Sequence, residues 1–315
     1  MRVLVPGASG FIGKNFLIHA PDDWEIIAIY KNTDIRDFIN HNDLHNVTAI
    51  KCDLAIEEEV ESLSKEVGNL FDSCLYLAAN TSIPHSVNDP FSDLQANTIG
   101  LLNVLKFFKG DKFIFLSSGA VYDGLSGKVG IDSSLSPQIP YAISKLASEN
   151  YVKFYISKRK TFNSYVILRF FGAYGPYEPS RKIYSKLIDE FFFKNANRFT
   201  IYGDGSNLID AMYIDDAIDG ILRVLNDNKH PNIVVDFGNG CPVSIKELVH
   251  SAARIFGKDS PSIKCEGFTN EYISFSISPK AMNDLFNFRP AISIEEGLKQ
   301  FASWLEMNRT YSKSS

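Results

Sequence analysis

A chain of 315 residues with 45% hydrophobic residues, 22% charged residues and a formal charge of −5 has the balance of ordinary soluble proteins, which excludes a disordered or membrane-embedded class. No Lys/Arg cluster runs beside an aromatic stripe, so a nucleic-acid partner is excluded as well. The length suffices for one large α/β unit or for two smaller domains sharing a cleft.

The opening stretch MRVLVPGASGFIG reaches glycine after a few apolar residues. That run is too short for a signal-peptide core or a bilayer span, and a cytoplasmic protein with no membrane partner is expected. Short apolar runs then alternate with helical patterns: RVLVP before a helix over 11–19, EIIAIY, VTAIKC before 56–67, SCLYLAA before 91–108, KFIFLSS before 141–158, and SYVILRF. The runs are rich in Val, Ile, Leu and Phe and lack the alternation of a strand wetted on one face, so they read as parallel strands covered on both sides. The fold class is therefore α/β, a Rossmann-type doubly wound parallel sheet, with ligands at the carboxyl ends of its strands.

After RFFGAYGP the rhythm changes to a helix over 184–196, a strand RFTIYGDG, a helix over 214–226, a buried strand in PNIVVDFGNG, a helix within 243–257 and a closing helix SIEEGLKQFASWLE. We expect residues 1–170 and 212–237 to form the dinucleotide-binding domain. Residues 171–211 and 238–307 would form a smaller, discontinuous α/β substrate-binding domain, with 308–315 a frayed tail. No internal repeat is visible.

Gly7, Gly10 and Gly13 lie between the first strand and the first helix. Glycine permits a tight turn and close backbone approach, and the helix N-terminus offers free N–H groups to a pyrophosphate. The spacing is G-x-x-G-x-x-G, and its context after a strand and before a helix points to a dinucleotide. The end of the second strand lacks the acidic residue expected on the adenosine ribose and carries Tyr30 and Lys31, with Asp34 farther on. A cation there suits a 2′-phosphate and favours NADP over NAD. Cys52, Cys74, Cys241 and Cys265 form no C-x-x-C, and the six histidines form no H-E-x-x-H, so no metal is implied.

The stretch SPQIPYAISKLASEN sets Tyr141 four residues before Lys145 at the start of a helix. Among fourteen tyrosines about one such pair is expected by chance, so the pair alone decides nothing.

Taken in order, GASGFIG, CDLA, LYLAAN, FLSSGAVYD, YAISK, LRFFGAYGP and YGDGSNLIDAMYIDD resemble the extended short-chain dehydrogenase/reductases over nearly the whole chain. The resemblance implies an NAD(P)-binding enzyme that oxidises or reduces a carbon of a sugar carried on a nucleotide diphosphate. It makes Ser118, Tyr141 and Lys145 the catalytic residues. Cofactor contacts would come from Gly7, Gly10, Phe11, Ile12, Gly13, Lys31, Asp53, Leu54, Leu77, Ala78, Ala79, Ser117, Phe170, Tyr141 and Lys145, with Asn97 supporting the site. Ser82, Ser118, Tyr141 and Gly172 would meet substrate, and the helices starting near Phe91 and Tyr141 would join two copies in a homodimer.

Hydride transfer from a carbinol needs a base for the hydroxyl proton. Tyrosine ionises near 10, and bringing it to 7 costs about 4 kcal/mol, which one ammonium at ~4 Å supplies at an effective dielectric near 20. Lys145 at i+4 shares a helical face with Tyr141, and Ser118 would steady charge on the reacting oxygen.

The chain departs from the family at four places. Gly119 and Ala120 follow Ser118 where dehydratases carry an Asp-Glu pair, so dehydration is disfavoured. Gly172 and Ile209 replace an asparagine and an arginine that grip the diphosphate, and EGFTNEYIS offers no basic residue. Arg181, beside Lys182, is the candidate replacement. His85 reads as a surface loop residue. The leading expectation is an epimerase or 4-ketoreductase of a nucleotide sugar; the alternatives are an NADPH-dependent reductase of another carbonyl compound and a non-catalytic dinucleotide sensor.

Overall fold

The computed structural model describes residues 1–267 and 273–311. Seven parallel strands make the central sheet: β1 (Arg2–Pro6), β2 (Glu25–Tyr30), β3 (Val47–Lys51), β4 (Leu70–Tyr76), β5 (Lys109–Ser118), β6 (Phe162–Phe170) and β7 (Ile233–Phe237). Their spatial order is β3-β2-β1-β4-β5-β6-β7, with every neighbouring pair parallel. The order reverses at β1, which opens a crevice at the carboxyl ends of β1 and β4.

Both faces of the sheet are covered, which is why the strands read as continuous apolar runs. Val3 and Val5 of β1 pack in one cluster with Phe16, Leu17 and Ile218. Leu4, between them, packs in the other cluster with Val60, Leu101 and Val104.

Helices Phe11–His19 and Ile214–Asn226 occupy the residues expected from the sequence. Others differ for local reasons. The expected helix over 91–108 is Pro90–Leu94, then a wide turn over Gln95–Ile99, then Gly100–Phe107. The segment after β4, read as a loop, contains the helix Ile83–Asn88, capped by Ser82 and opened by Pro84. The last helix, Ile294–Tyr311, continues past the expected start of the tail, of which 312–315 lie outside the described residues.

Beyond the strand ends the chain builds small two-stranded pieces. Ala173–Tyr174 pairs with Met212–Tyr213, Leu208–Ile209 with Val243–Ser244, and Arg198–Tyr202 with Ser262–Glu266. They hold the segments around 171–178, 207–211 and 242–245 against the crevice. Among the described residues no helix is long and apolar enough to cross a membrane.

Candidate active site

The turn after β1 is built by backbone proximity. Gly7 has φ +88°, and a Cβ on it would sit 2.5 Å from the nitrogen of Ala78, two residues past the end of β4. The Gly7 and Ala8 N–H groups both donate to the Ile29 carbonyl at 3.0 Å, pinning the turn to β2. A Cβ on Gly13 would meet the Ala8 carbonyl oxygen at 2.5 Å. Gly10 caps the Phe11–His19 helix without any side-chain hydrogen bond, so the first-turn N–H groups keep their capacity for an anion. This cradle fits a dinucleotide pyrophosphate.

From the turn a cavity of about 880 Å³ runs past the ends of β4 and β5 to residues 207–211. Gly7, Gly10, Phe11, Ile12, Gly13, Lys31, Asp53, Leu54, Leu77, Ala78, Ala79, Ser117, Ser118, Tyr141, Lys145, Phe170 and Gly172 all line it. Ser82, Asn97 and Arg181 are not on its wall. Ser82 caps the Ile83–Asn88 helix, accepting from the His85 N–H at 3.3 Å. Asn97 is buried behind the wall, and Arg181 points to solvent while its neighbour Lys182 lines the cavity.

Ser118 ends β5, and Tyr141 and Lys145 stand on the first turns of the helix Pro140–Phe154, which Pro140 opens. The Ser118 hydroxyl bonds the Tyr141 phenol, and its oxygen accepts from the Ala120 N–H at 3.1 Å. Burial pushes the phenol above its usual ionisation range, Ser118 pulls it down, and buried Asp93 pushes it up. Lys145 donates to the Leu116 carbonyl at 2.6 Å and lies 4.3 Å from the centre of the Phe115 ring. Burial brings its ammonium down to about 7, against the opposing pull of Glu149 and Asp93. The sequence-based expectation of an ammonium already acidifying the phenol is therefore not what this arrangement holds: the lysine is engaged with a backbone carbonyl.

Two buried polar networks support the triad, and the sequence reading found little of either. Asp93 accepts from Asn97 at 2.9 Å, Asn80 at 3.1 Å and Ser144 at 2.6 Å, while Asn97 accepts from the Asn80 N–H at 2.7 Å. Asn97 sits in the wide turn, which rotates it inward; such turns recur at functional sites. The second network begins at Ser117, whose hydroxyl donates to Glu149 at 2.7 Å. Arg169 grips Glu149 in bidentate fashion at 3.0 and 2.9 Å and donates to the Tyr122 hydroxyl at 2.9 Å, which donates to Asp236 at 2.7 Å. Burial raises Asp236 to about 6, offset by Tyr122 and Arg169. The available signal was Arg169 inside the apolar run SYVILRF.

At the exits of β2 and β3 Lys31 forms an ion pair with Asp53 at 2.8 Å. At the other end no described arginine or histidine lines the cavity, and its cations are Lys31, Lys145 and Lys182. Residues 268–272 of EGFTNEYIS lie outside the described residues. Asp210 lines the cavity and accepts from the Gly240 and Cys241 N–H groups at 2.9 and 3.2 Å, which holds a loop beside it. Glu178, absent from the sequence reading, lines the cavity, and burial raises it to about 7 against hydrogen bonds from Ser185.

The pattern of the NAD dependent epimerase/dehydratase family matches residues 3–235. The chain belongs to that family. This epimerase/dehydratase family member is 28% identical over 319 residues to an uncharacterized UDP-glucose epimerase of Bacillus subtilis, covering 97% of this chain and 98% of the relative. It is 25% identical over 329 residues to the human dTDP-D-glucose 4,6-dehydratase, covering 98% of this chain and 90% of the relative. Its structure is similar to that of the Bacillus cereus UDP-glucuronic acid 4-epimerase in complex with UDP-glucuronic acid and NAD, with a TM-score of 0.84, 25% identity and coverage of 98% and 99%.

Proposed function

We propose that this family member moves a hydride between a nicotinamide dinucleotide and a carbinol carbon of a nucleotide-activated sugar, as an epimerase or a 4-ketoreductase. One observation carries the reading: Ser118, Tyr141 and Lys145 share the wall of a cavity that begins at the glycine turn. The glycine turn and the first-turn N–H groups would hold the dinucleotide phosphates, with Asp53, Leu54, Ala78 and Ala79 along the rest of it. When bound, the nicotinamide ring supplies the hydride acceptor and donor.

The chain's own residues handle the proton. Tyr141 takes it from the sugar hydroxyl and returns it, and the Ser118 hydroxyl donates to the reacting oxygen as charge builds there. Lys145, released from the Leu116 carbonyl, would supply the positive charge that makes the phenolate accessible, with Glu149 and Asp93 keeping it protonated.

NAD suits the ribose end better than NADP, because the Lys31 charge is already compensated by Asp53 and a 2′-phosphate would have to displace that carboxylate. Epimerisation or ketone reduction is favoured over dehydration by the ground beneath Ser118. A Cβ at Gly119 would lie 2.7 Å from the Phe171 ring, which leaves no room for an acid–base side chain there. The cation-poor far wall favours a second reading, a reductase of a carbonyl compound without a diphosphate.

We further propose that residues 171–211 and 238–307 serve as the substrate-binding part, and that a second copy covers an apolar stripe. Phe91 is 71% exposed and Leu94 42%, beside Ile143 at 48% and Phe154 at 46% on the adjacent helix. Mass spectrometry of ligand released on denaturing the protein, with calorimetry against UDP, dTDP, GDP and CDP, tests the function. Retained NAD with binding of one nucleotide supports an epimerase; no nucleotide binding and a demand for added NADPH supports the second reading. Light scattering of wild type and Phe91→Glu tests the pairing, which predicts a dimer converted to monomer.

A further inference from the structure

Glu178 is presented on the cavity wall by a rigid turn. Its N–H donates to the Gly175 carbonyl at 3.0 Å. The preceding Tyr177 holds φ +66°, a conformation side chains seldom adopt. Its ring is clamped between Phe38 and Trp304, with centroids 5.3 and 4.8 Å away. On the carboxyl itself, Oε2 accepts from both the N–H and the hydroxyl of Ser185, at 3.1 and 2.9 Å. Oε1 has no hydrogen bond among the described residues.

The charge around it is sparse. Lys182 is the cation that acts on Glu178, while Tyr174 and Tyr184 pack nearby and Asp210 adds a second carboxylate to the same part of the wall. Lys31 and Lys145 are held by Asp53 and the Leu116 carbonyl, and residues 268–272 include no basic side chain. Among the described residues, a diphosphate entering this half of the cavity therefore meets the Lys182 ammonium and the carboxyl groups of Glu178 and Asp210. A sugar that brought a carboxylate of its own would add a further like charge with no described cation left to receive it.

We propose that Glu178 sets the sugar specificity of this site, its open Oε1 accepting a hydrogen bond from a hydroxyl of an uncharged sugar and its charge turning away sugars that bear a carboxylate. The inference rests on the nucleotide-sugar reading above and narrows it to neutral glycosyl groups. Burial, which lifts the carboxyl to about 7, places the discrimination on the alkaline side of neutrality, where the group is ionised.

Calorimetry at pH 8 with the glucose and glucuronate forms of UDP and of dTDP, on wild type and on Glu178→Gln, tests this. Glutamine keeps a carbonyl oxygen for Ser185, and the thermal midpoint of the variant checks that it folds. Wild type is expected to bind the glucose form about tenfold or more tightly than the glucuronate form of the same nucleotide, as like-charge juxtaposition requires. The variant should bring the two toward parity, chiefly by tightening the glucuronate form. Equal binding of both sugars by wild type, a measurement that needs no variant, overturns the inference alone, as does an unchanged ratio in a folded variant. Failure of wild type to bind any of the four, with UDP, dTDP, GDP and CDP also unbound, overturns the nucleotide-sugar reading and this inference with it; where GDP or CDP binds instead, its glucose and glucuronate forms carry the same comparison.

Discussion

The two ends of the cavity are made differently. At the dinucleotide end the contacts are backbone: Gly7 against Ala78, two N–H groups on the Ile29 carbonyl, and the open first turn of the Phe11–His19 helix. At the end proposed for substrate they are side chains, with Glu178 and Lys182 of one segment brought to Asp210 from more than twenty residues away. A site made of backbone leaves a durable mark in sequence, since glycine is the residue that permits it. A site made of side chains can change its charge at one position while the fold around it stays the same.

Four variants press on that contrast, and the largest effect belongs where the two ends meet. Tyr141→Phe should lower turnover by about 10²- to 10⁴-fold while dinucleotide binding persists; steady-state kinetics beside a cofactor titration read this, and near-normal turnover would remove the phenol from its role. Gly7→Ala forces a Cβ against the Ala78 backbone at positive φ and should cost about 3 kcal/mol of stability together with the dinucleotide. Urea unfolding with and without added NAD measures both losses.

Asp236→Asn is a subtler test, made on the sheet below both ends. Asp236 titrates at about 6 in the fold against an ordinary 3.8, so the folded chain binds more protons between those values and wild-type stability falls as pH rises from about 4 to about 6. Asparagine still accepts from Tyr122 but has no proton to lose. The variant should therefore match wild type near pH 4 and exceed it by about 2–3 kcal/mol above pH 6.5, a difference that parallel denaturation curves resolve. The smallest effect is expected from Lys31→Ala, whose exposed ion pair with Asp53 is worth about 0.5 kcal/mol or less. Its value lies in the ratio of NAD to NADP affinity: a ratio that moves strongly toward NAD would return Lys31 to a phosphate-binding role.

How much was legible follows the same division. Strands such as VLVP and FIFLSS announce themselves because helices cover both faces, leaving no wetted residue to interrupt the run. The Ser118, Tyr141 and Lys145 set was picked out through the family resemblance, and the structure brings all three to one cavity wall. The Ile83–Asn88 helix was missed although Ser82 and Pro84 are a cap and a first-turn proline; six residues give too little periodicity to outweigh the loop composition. The break at Gln95–Ile99 has no sequence mark; within it Asn97 donates back to Asp93 and across to Ser144 of the Pro140–Phe154 helix, a partner 47 residues away. Lys31 read as a lone cation because its partner, Asp53, lies on the next strand's exit.

The buried chain from Ser117 through Glu149, Arg169 and Tyr122 to Asp236 joins the Pro140–Phe154 helix to β5, β6 and β7. That helix is moored: sliding it would strand an ion pair in the dry interior, at a cost of about 3–5 kcal/mol. The helix that carries Tyr141 and Lys145 is thus a fixture of the sheet. Past that anchorage the backbone leaves β6 at Phe171, and Gly172 turns to φ +123°, a freedom the moored helix lacks.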